Sequence, residues 1–369
     1  MADPSDEELL TSPLHDRHVG LGAKFAPFGG WSMPLEYTGA VKEHVAVRTA
    51  GGIFDVSHLG KAVVSGPGAA AFLNECLTND LGRIATGQAQ YTLCCSDGGG
   101  VVDDLIAYLR GDDDVFLIPN ASNTAEVVGL LEAAAPAQVD VVNRHRDFAV
   151  IAVQGQVSDA VLEAMGYPTG HPYMSYVQVD HDGADVIVCR TGYTGELGYE
   201  LVVPADAAGS VWDAAMAAGE PRGLVPAGLA ARDTLRTEMG YPLHGQDLSP
   251  EISPVQARLG WAVGWDKPQF WGHEALRHER ESGPARLLRG FVADGRGIPR
   301  PGMTVLKGSD EIGSVTSGTY SPTLRKGVAL ALLHPEILVG DQVEVDVRGR
   351  RELFTVTKPP FVTPGVRGS

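Results

Sequence analysis

Long apolar runs and basic residues are both scarce in this sequence. No hydrophobic stretch reaches the length needed to span a membrane. Lys and Arg together number 29 against 46 Asp and Glu, which gives a formal net charge of −17 at pH 7. A surface of that charge repels nucleic acid and anionic membranes. We therefore expect neither as a partner, and we expect any anionic ligand to be met by individually placed arginines.

Cysteine and histidine offer little for metal or redox chemistry. The histidines are scattered apart from His15 and His18 in "HDRH", and two side chains supply too few ligands for a metal. The opening "MADPSDEELL" has neither the zones of a signal peptide nor the Arg-rich character of a transit peptide. We expect a cytoplasmic protein without a bound metal. Its cysteines show no zinc-type spacing and are expected to be reduced thiols; they are Cys76, Cys94, Cys95 and Cys189.

Familiar nucleotide and nucleophile motifs are also missing, including the P-loop and the G-x-S-x-G elbow. "KAVVSGPGAAAF" has the form of a dinucleotide fingerprint at Gly66, Gly68 and Ala71. However, Pro67 removes a backbone donor, and the strands that follow are hairpin-linked, whereas a dinucleotide fold needs parallel crossovers. A tight strand-to-helix turn is the better interpretation.

Length and patterning predict more than one domain, because 369 residues exceed what one hydrophobic core usually supports. From Lys61, short strands alternate with two helices and tight turns, which is typical of an antiparallel sheet with helices on one face, as in a ferredoxin-like unit. After Pro284, strands punctuated by glycine and proline, with hairpins at "LKGSDEIGS" and "VRGRREL", indicate a small all-β domain. Before it we predict a tryptophan-rich strand region and a helix at "GHEALRHERE".

The stretch "RTGYTGELGYE" carries Gly192, Gly195 and Gly198 at a spacing of three, between two strand-like runs. Glycine supplies backbone torsions that other residues avoid and allows close approach. One interpretation is a generous hairpin loop. The other is a binding loop whose end, Tyr199 and Glu200, faces a ligand, since loops on rigid sheets often carry function.

Two acids interrupt the apolar strand "VVDDLIAYL". An ionised carboxylate is costly to bury unless it is paired or used. Neighbouring strand residues point to opposite faces, so of Asp103 and Asp104 only Asp104 shares a face with Val102, Ile106 and Tyr108. The alternative to a functional role is that the acid lies at the open end of a hairpin, where water partly solvates it.

Other polar residues have ordinary interpretations when each is taken alone. Asn120 stands just before a helix and is a candidate cap. Arg232, with Asp233 beside it and Arg236 one turn on, is a candidate for a helix ion pair. None of these residues indicates a function by itself.

Taken together, seven blocks resemble the T-protein family of the glycine cleavage system, the aminomethyltransferases. In order, they are "FGGWSMPLEY", "FDVSHLG", "QYTLCCSDGGGVVDDLIAY", "RTGYTGELGYE", "AGLAARDTLR", "LHGQDL" and "VTSGTYSPTLRKGVALAL". The resemblance runs from about Leu14 to about Phe361. It implies an α+β, three-lobed fold around a folate site, with a ferredoxin-like lobe and a C-terminal β-barrel. The expected domains are residues 1–59 with 146–280 (central, folate-binding), 60–145 (ferredoxin-like) and 285–369 (barrel).

The resemblance also implies a reaction and a partner. A lipoylated H-protein carries an aminomethyl group on the sulfur of its dihydrolipoyl arm. Tetrahydrofolate accepts the one-carbon unit as 5,10-methylenetetrahydrofolate, ammonia leaves, and the reduced arm is released.

Individual residues match family positions. Asp104 matches the catalytic aspartate, which activates the folate amine and favours the developing cationic carbon. Glu200 matches the carboxylate that accepts two N–H groups of the pterin, and the glycines of its loop would bring the backbone close to that flat ring. Tyr193 and Arg232 match ligand contacts. The remaining matches line the folate cavity, with Leu59 where the family commonly has methionine; they are Asn120, Tyr91, Tyr241 and Leu59.

Besides Leu59, one further departure and two rival functions remain. Gln256 and Arg258, in "PVQARLGWAV", replace the usual small residues of the family and place the local contacts in question. A folate-dependent demethylase of the same fold is the first rival. A non-catalytic folate-binding protein of the iron-sulfur or tRNA-modification type is the second, although that type carries a cysteine in a "KGCYxGQE" block and "RTGYTGELGYE" has none.

Overall fold

A computed structural model describes residues 9–366 of the chain. The outer ends of the first and last predicted domains, residues 1–8 and 367–369, lie outside the described residues. Among the residues that are described, no helix combines the length and apolar character needed to cross a membrane.

Strands outnumber helices in the described part of the chain, and they lie in separate sheets, which confirms the α+β class. The strands, numbered β1 to β20 along the chain, are Leu10–Thr11, Lys24–Phe28, Trp31–Glu36, Gly51–Asp55, Ala62–Ser65, Ala89–Cys95, Val101–Gly111, Asp114–Ile118, Asp140–Asn143, Phe148–Gln154, Tyr176–His181, Ala184–Cys189, Gly198–Pro204, Leu224–Pro226, Leu287–Ala293, Thr304–Lys307, Asp310–Ser321, Lys326–Leu333, Gln342–Val347 and Arg350–Thr357. The helices, numbered α1 to α8, are His15–Gly20, Ala40–Thr49, Ala69–Cys76, Thr124–Ala134, Ser158–Ala164, Ala208–Gly219, Leu229–Met239 and His273–Ser282.

The predicted ferredoxin-like unit is confirmed, with one additional strand. Its sheet has the order β6-β7-β8-β5-β9, and all its pairings are antiparallel. Without β6, the order β9-β5-β8-β7 and the two connecting helices are those of a ferredoxin-like fold. Leu73 of α3 and Leu131 of α4 bury their side chains in one core cluster with Leu117 of β8, so both helices cover the same face.

A six-stranded sheet, with the order β11-β12-β13-β10-β4-β14, forms the centre of the molecule. Its strand β10, "FAVIAVQ", is almost entirely apolar, which is typical of a strand covered on both faces. Ile151 and Val153 enter a cluster with α5 and α6, whereas Val150 and Ala152 enter a second cluster. That second cluster contains Tyr108 of the five-stranded sheet, so the two sheets share a core.

The C-terminal barrel is also confirmed. Strands β15-β18-β17-β16-β19-β20 close on themselves, and the predicted hairpins are β16–β17 and β19–β20. The predicted tryptophan-rich strand region is wrong. Residues 260–262 form a short 3₁₀ turn instead, because the indole N–H of Trp265 donates to the Gly260 carbonyl at 2.8 Å and closes the chain on itself.

Strand membership bears on the predicted domains. The five-stranded sheet uses strands between residues 62 and 143, whereas the six-stranded sheet takes β4 before that segment and β10 to β14 after it. The limits proposed from sequence, 1–59 with 146–280, 60–145 and 285–369, stay a prediction, because hydrogen-bonded sheets do not by themselves mark cooperative units.

A buried arginine joins α7 to the barrel. Arg236 is 1% exposed and donates to the carboxylate of Asp247 at 2.8 Å, the carboxylate of Asp233 at 2.6 Å and the hydroxyl of Ser317 on β17 at 2.9 Å. The Asp247 side chain is itself fully buried. A buried pair of this kind depends on both partners being present.

We expect Arg236→Met to lower the free energy of unfolding by about 3–5 kcal/mol, because it leaves the Asp247 carboxylate buried without its cation. Urea unfolding measures the change. The control is Arg222→Met, an exposed arginine with one hydrogen bond to the Ala218 carbonyl, which should change stability by roughly 0.5 kcal/mol or less. Equal losses in the two variants would contradict the structural role of Arg236.

Candidate active site

A cavity of about 620 Å³ lies where the five-stranded sheet, the six-stranded sheet and α7 meet. Strands β6 and β7 form one wall, and the start of β13 and the start of α7 form another. The residues matched to the family's site all line this cavity: Leu59, Tyr91, Asp104, Asn120, Tyr193, Glu200, Arg232 and Tyr241. Residues up to 182 positions apart in sequence, from Leu59 to Tyr241, are thus brought to one place. The expectation that Tyr199 faces a ligand is wrong, because its side chain packs in the core with α5 and α6.

Asp104 faces the cavity from β7, on the same side as Ile106 and Tyr108, as the alternation predicts. The Tyr91 hydroxyl on the neighbouring strand donates to Asp104 Oδ2 at 3.0 Å. Burial raises the pKa of the Asp104 carboxyl. The prediction for Val102 is wrong, because the β6–β7 register shifts between Cys94 and Cys95, and Val102 packs in the core under the helices.

Asp103 is fully buried on β7 and was not among the predicted site residues, yet it shares a partner with Asp104. The Asn120 amide nitrogen lies 2.9 Å from Asp103 Oδ1 and 2.9 Å from Asp104 Oδ1. The Asn120 backbone N–H donates to Asp103 Oδ2 at 2.9 Å, and the Asn123 amide donates to Asp103 Oδ1 at 2.7 Å. Asn120 therefore bridges the two acids, and the ordinary interpretation of its side chain as a helix cap is wrong.

Asn123 extends this network to a residue from a distant part of the chain. Its amide nitrogen lies 3.0 Å from His244 Nδ1, and His244 Nε2 lies 3.1 Å from the Val101 carbonyl. A carbonyl only accepts, so His244 Nε2 carries the proton and Nδ1 accepts from Asn123. His244 lines the cavity but is one histidine among eleven, and only its place in the "LHGQDL" block marked it.

Glu200 reaches the cavity from β13. The Thr191 hydroxyl donates to Glu200 Oε2 at 2.6 Å, and Thr191 Oγ1 lies 3.4 Å from the Tyr108 hydroxyl. Glu200 Oε1 has no hydrogen bond with any residue in the described range. The carboxylate is thus oriented on one oxygen and open on the other.

The glycine-rich loop before Glu200 packs mainly against protein, which corrects the expectation that its spacing serves a flat ligand ring. A side chain at Gly192 or Gly198 would collide with the side chain of Gln154, at 2.1 and 2.4 Å. Gly195 has φ +80°, and a Cβ there would lie 2.0 Å from the Met239 sulfur. Of the three glycines, Gly192 lines the cavity and the other two do not.

The Arg232 side chain has no hydrogen bond or ion pair with any of residues 9–366. The predicted helix ion pair forms between Asp233 and Arg236 instead, at 2.6 Å. The Arg232 guanidinium lies 4.3 Å from the centre of the Tyr193 ring, and burial lowers its pKa from the usual value. Tyr193 is held by a hydrogen bond from its hydroxyl to the Pro242 carbonyl. The cavity therefore contains a positioned guanidinium whose donors are unused by these residues.

Several aromatic residues at the cavity were not predicted as site residues, and Trp261 is the most exposed of them. Trp261 is 64% exposed, lines the cavity and stacks on Tyr91 with ring centres 5.3 Å apart. Little in the sequence indicated this role for Trp261, because a strand predicted for this segment does not place the residue beside Tyr91.

Comparison with known proteins gives a consistent result. Residues 14–267 match the family model described as the GCVT N-terminal domain, and residues 286–363 match the one described as the glycine cleavage T-protein C-terminal barrel domain. An aminomethyltransferase of Frankia alni is 62% identical over 358 residues, which cover 96% of this chain and 98% of that protein. An aminomethyltransferase of Mycobacterium tuberculosis is 59% identical over 362 residues, which cover 98% and 99%.

A solved structure is similar over nearly its full length. The crystal structure of glycine cleavage system aminomethyltransferase T from Bartonella henselae has a TM-score of 0.91 to this chain at 33% identity. The match covers 97% of this chain and 99% of that one.

The buried Asp103 carboxyl makes stability depend on pH. Burial and then the charge of Asp104 raise its pKa to about 8. In the unfolded chain the proton leaves near pH ~3.9, so the folded state holds more protons between about pH 4 and 8. This carboxyl therefore makes the free energy of unfolding fall as pH rises through that window, and we expect a shallower fall in Asp103→Asn.

Urea unfolding at pH 5 and pH 8 measures the two slopes. The matched control is Asp113→Asn, an exposed aspartate in the turn between β7 and β8 of the same sheet that accepts from the Gly68 N–H. It should keep the wild-type slope. If Asp103→Asn and the wild type had the same pH slope, the raised pKa would be refuted.

Proposed function

Because this chain belongs to the glycine cleavage T-protein family, we propose that the 620 Å³ cavity is the place where its folate substrate reacts with the aminomethyl group. The protein is a tetrahydrofolate-dependent aminomethyltransferase of the glycine cleavage system. The observation that carries the proposal for the cavity is that every residue matched to the family's folate site lines it. The relatives' shared activity does not favour a demethylase or a non-catalytic folate-binding protein.

Glu200 anchors the pterin in this proposal. A pterin presents an amino group and a ring N–H side by side, and a carboxylate accepts both. The Thr191 hydroxyl holds Oε2 at 2.6 Å and leaves Oε1 open, so the carboxylate is oriented before the ligand arrives. Orienting it in advance reduces the entropy lost on binding.

Arg232 supplies the complementary donors. Its guanidinium rests on the Tyr193 ring, and the Tyr193 and Tyr241 rings lie 5.7 Å apart. Carbonyl and carboxylate oxygens of the folate are the groups that a fixed guanidinium recognises. Leu59 and Ile106 contribute apolar surface to the same cavity, which suits the flat faces of the ligand.

Asp104 is the proposed catalytic residue. Each of its oxygens accepts one hydrogen bond, Oδ2 from Tyr91 and Oδ1 from Asn120, so both retain lone pairs for the folate amine. In the reaction the carbon loses its bonds to the amine nitrogen and to sulfur, and it gains bonds to N5 and N10 of tetrahydrofolate. The two folate protons end on ammonia and on the thiol. A carboxylate beside this carbon stabilises its developing positive charge.

The proposed donor is the aminomethylated dihydrolipoyl arm of an H-protein. A carbon delivered on a flexible arm must come within reach of Asp104, which lines the cavity. When the arm and the folate are held in one site, a reaction between two diffusing molecules becomes a reaction between groups already in position.

We expect Asp104→Asn to lower turnover by about 10²–10⁴-fold, because the amide cannot accept a proton or stabilise the positive charge. Its dissociation constant for tetrahydrofolate should change far less. The assay follows 5,10-methylenetetrahydrofolate formed from loaded H-protein, with a soluble methylated amine as the alternative donor. Asp113→Asn serves as the control, and unchanged turnover in Asp104→Asn would remove the catalytic assignment.

We expect Glu200→Gln to weaken tetrahydrofolate binding by about 1.5–3 kcal/mol, the usual contribution of hydrogen bonds to a charged group. Direct titration of the protein with tetrahydrofolate measures it. Glu220→Gln, at an exposed glutamate outside the cavity, is the control. Normal affinity in Glu200→Gln would mean that another residue anchors the pterin.

A further inference from the structure

A second, shallower cavity of about 480 Å³ adjoins the candidate active site. Trp261 lines both cavities, so the two share a wall at the exposed indole. Among residues 9–366, no acidic side chain lines the second one. Its lining residues are Val255, Arg258, Gly260, Trp261, Trp265, Arg280 and Leu287, and we refer to it as the arginine groove.

Arg258 occupies the groove in an unfavourable backbone conformation. Its φ is +60°, in the left-handed region that non-glycine residues seldom adopt. The side chain is exposed and makes no hydrogen bond within residues 9–366. The resemblance to the family expects a small residue at this position. Strained residues of this kind concentrate at functional sites.

The groove concentrates positive charge in a chain whose net charge is −17. Arg258, Arg280 and the neighbouring Arg289 form no ion pair with any residue of the described chain. The Arg280 guanidinium lies 4.4 Å from the centre of the Trp265 ring, which holds it in place. Burial and then the charge of Arg258 lower the pKa of Arg289, so these like charges face one another. An anion in the groove would relieve this repulsion.

We propose that the arginine groove binds the carboxylates at the tail of the folate substrate, including the γ-linked glutamates of an extended tail. This inference rests on the proposed folate site. A folate anchored at Glu200 by its pterin has its anionic end farthest from the anchor. The wall shared through Trp261 connects the two cavities, and the indole offers a flat surface beside which the tail can pass. Guanidinium groups bind carboxylates in a two-pronged geometry.

Arg258→Gly tests the groove because two readouts move in opposite directions. Glycine adopts a φ of +60° without strain, so the variant should unfold at a temperature no lower than the wild type. Its KM for tetrahydrofolate carrying several γ-linked glutamates should rise about tenfold, with kcat unchanged. The KM for the form with a single glutamate should rise less. Added salt should reduce the difference between variant and wild type.

Arg280→Ala should behave like Arg258→Gly in KM, and Arg277→Ala is the matched control. Arg277 is exposed on the same helix, α8, but lies outside the groove. Its loss should leave both KM values unchanged. Direct titration with the two folate forms repeats the comparison without turnover. It therefore tests the groove even if the wild type forms no methylenetetrahydrofolate, a result that would refute the proposed function instead.

Two results would overturn the groove assignment. One is that the wild type, Arg258→Gly and Arg280→Ala all bind the two folate forms with equal affinity. The other is a rise in the KM for the H-protein with unchanged affinity for every folate form, which would assign the groove to an acidic protein surface.

Discussion

Two adjacent carboxylates inside one apolar strand are the constraint around which the site is organised. An unpaired carboxylate in an apolar interior is very costly, so Asp103 and Asp104 require donors from elsewhere. The structure supplies them from the β8–α4 connection, where Asn120 donates to both acids, and from β6, where Tyr91 donates to Asp104. The same requirement fixes the start of α4 and the edge of the sheet. The polar network and the local fold therefore stabilise each other.

The cavity follows from how the two large sheets share a core. β10 supplies alternate side chains to clusters on its two faces, and Tyr108 and Phe116 of the five-stranded sheet complete one of these clusters. Near Tyr108 the packed core gives way to the cavity, where Glu200 and Arg232 emerge from the opposite wall. Rigid sheets thus hold the polar groups at fixed separations, which is what a site needs in order to orient two substrates.

The sequence predicted the elements whose patterns are local. The five-stranded unit, the barrel hairpins and the side of β7 that carries Asp104 follow from alternation and turn residues. The set of site residues came from family resemblance, and their contacts could not be derived. Asp233 pairs with Arg236 and not with Arg232, and Asn120 bridges two acids. These contacts depend on the tertiary structure, so the order of residues along the chain does not predict them. The register shift beside Cys95 and the turn at Trp261 likewise depend on distant packing or on single hydrogen bonds.

The placement of β4 in the central sheet affects the order in which the chain can fold. Its neighbours β10 and β14 both come later in the sequence, and β10 follows only after residues 56–147. During synthesis, β4 therefore leaves the ribosome with both edges unpaired, while the segment between it and β10 can complete all five strands of its own sheet. An unpaired strand is a template for association with other chains. The rapid, local folding of the inserted unit shortens the distance that β10 must search to reach β4.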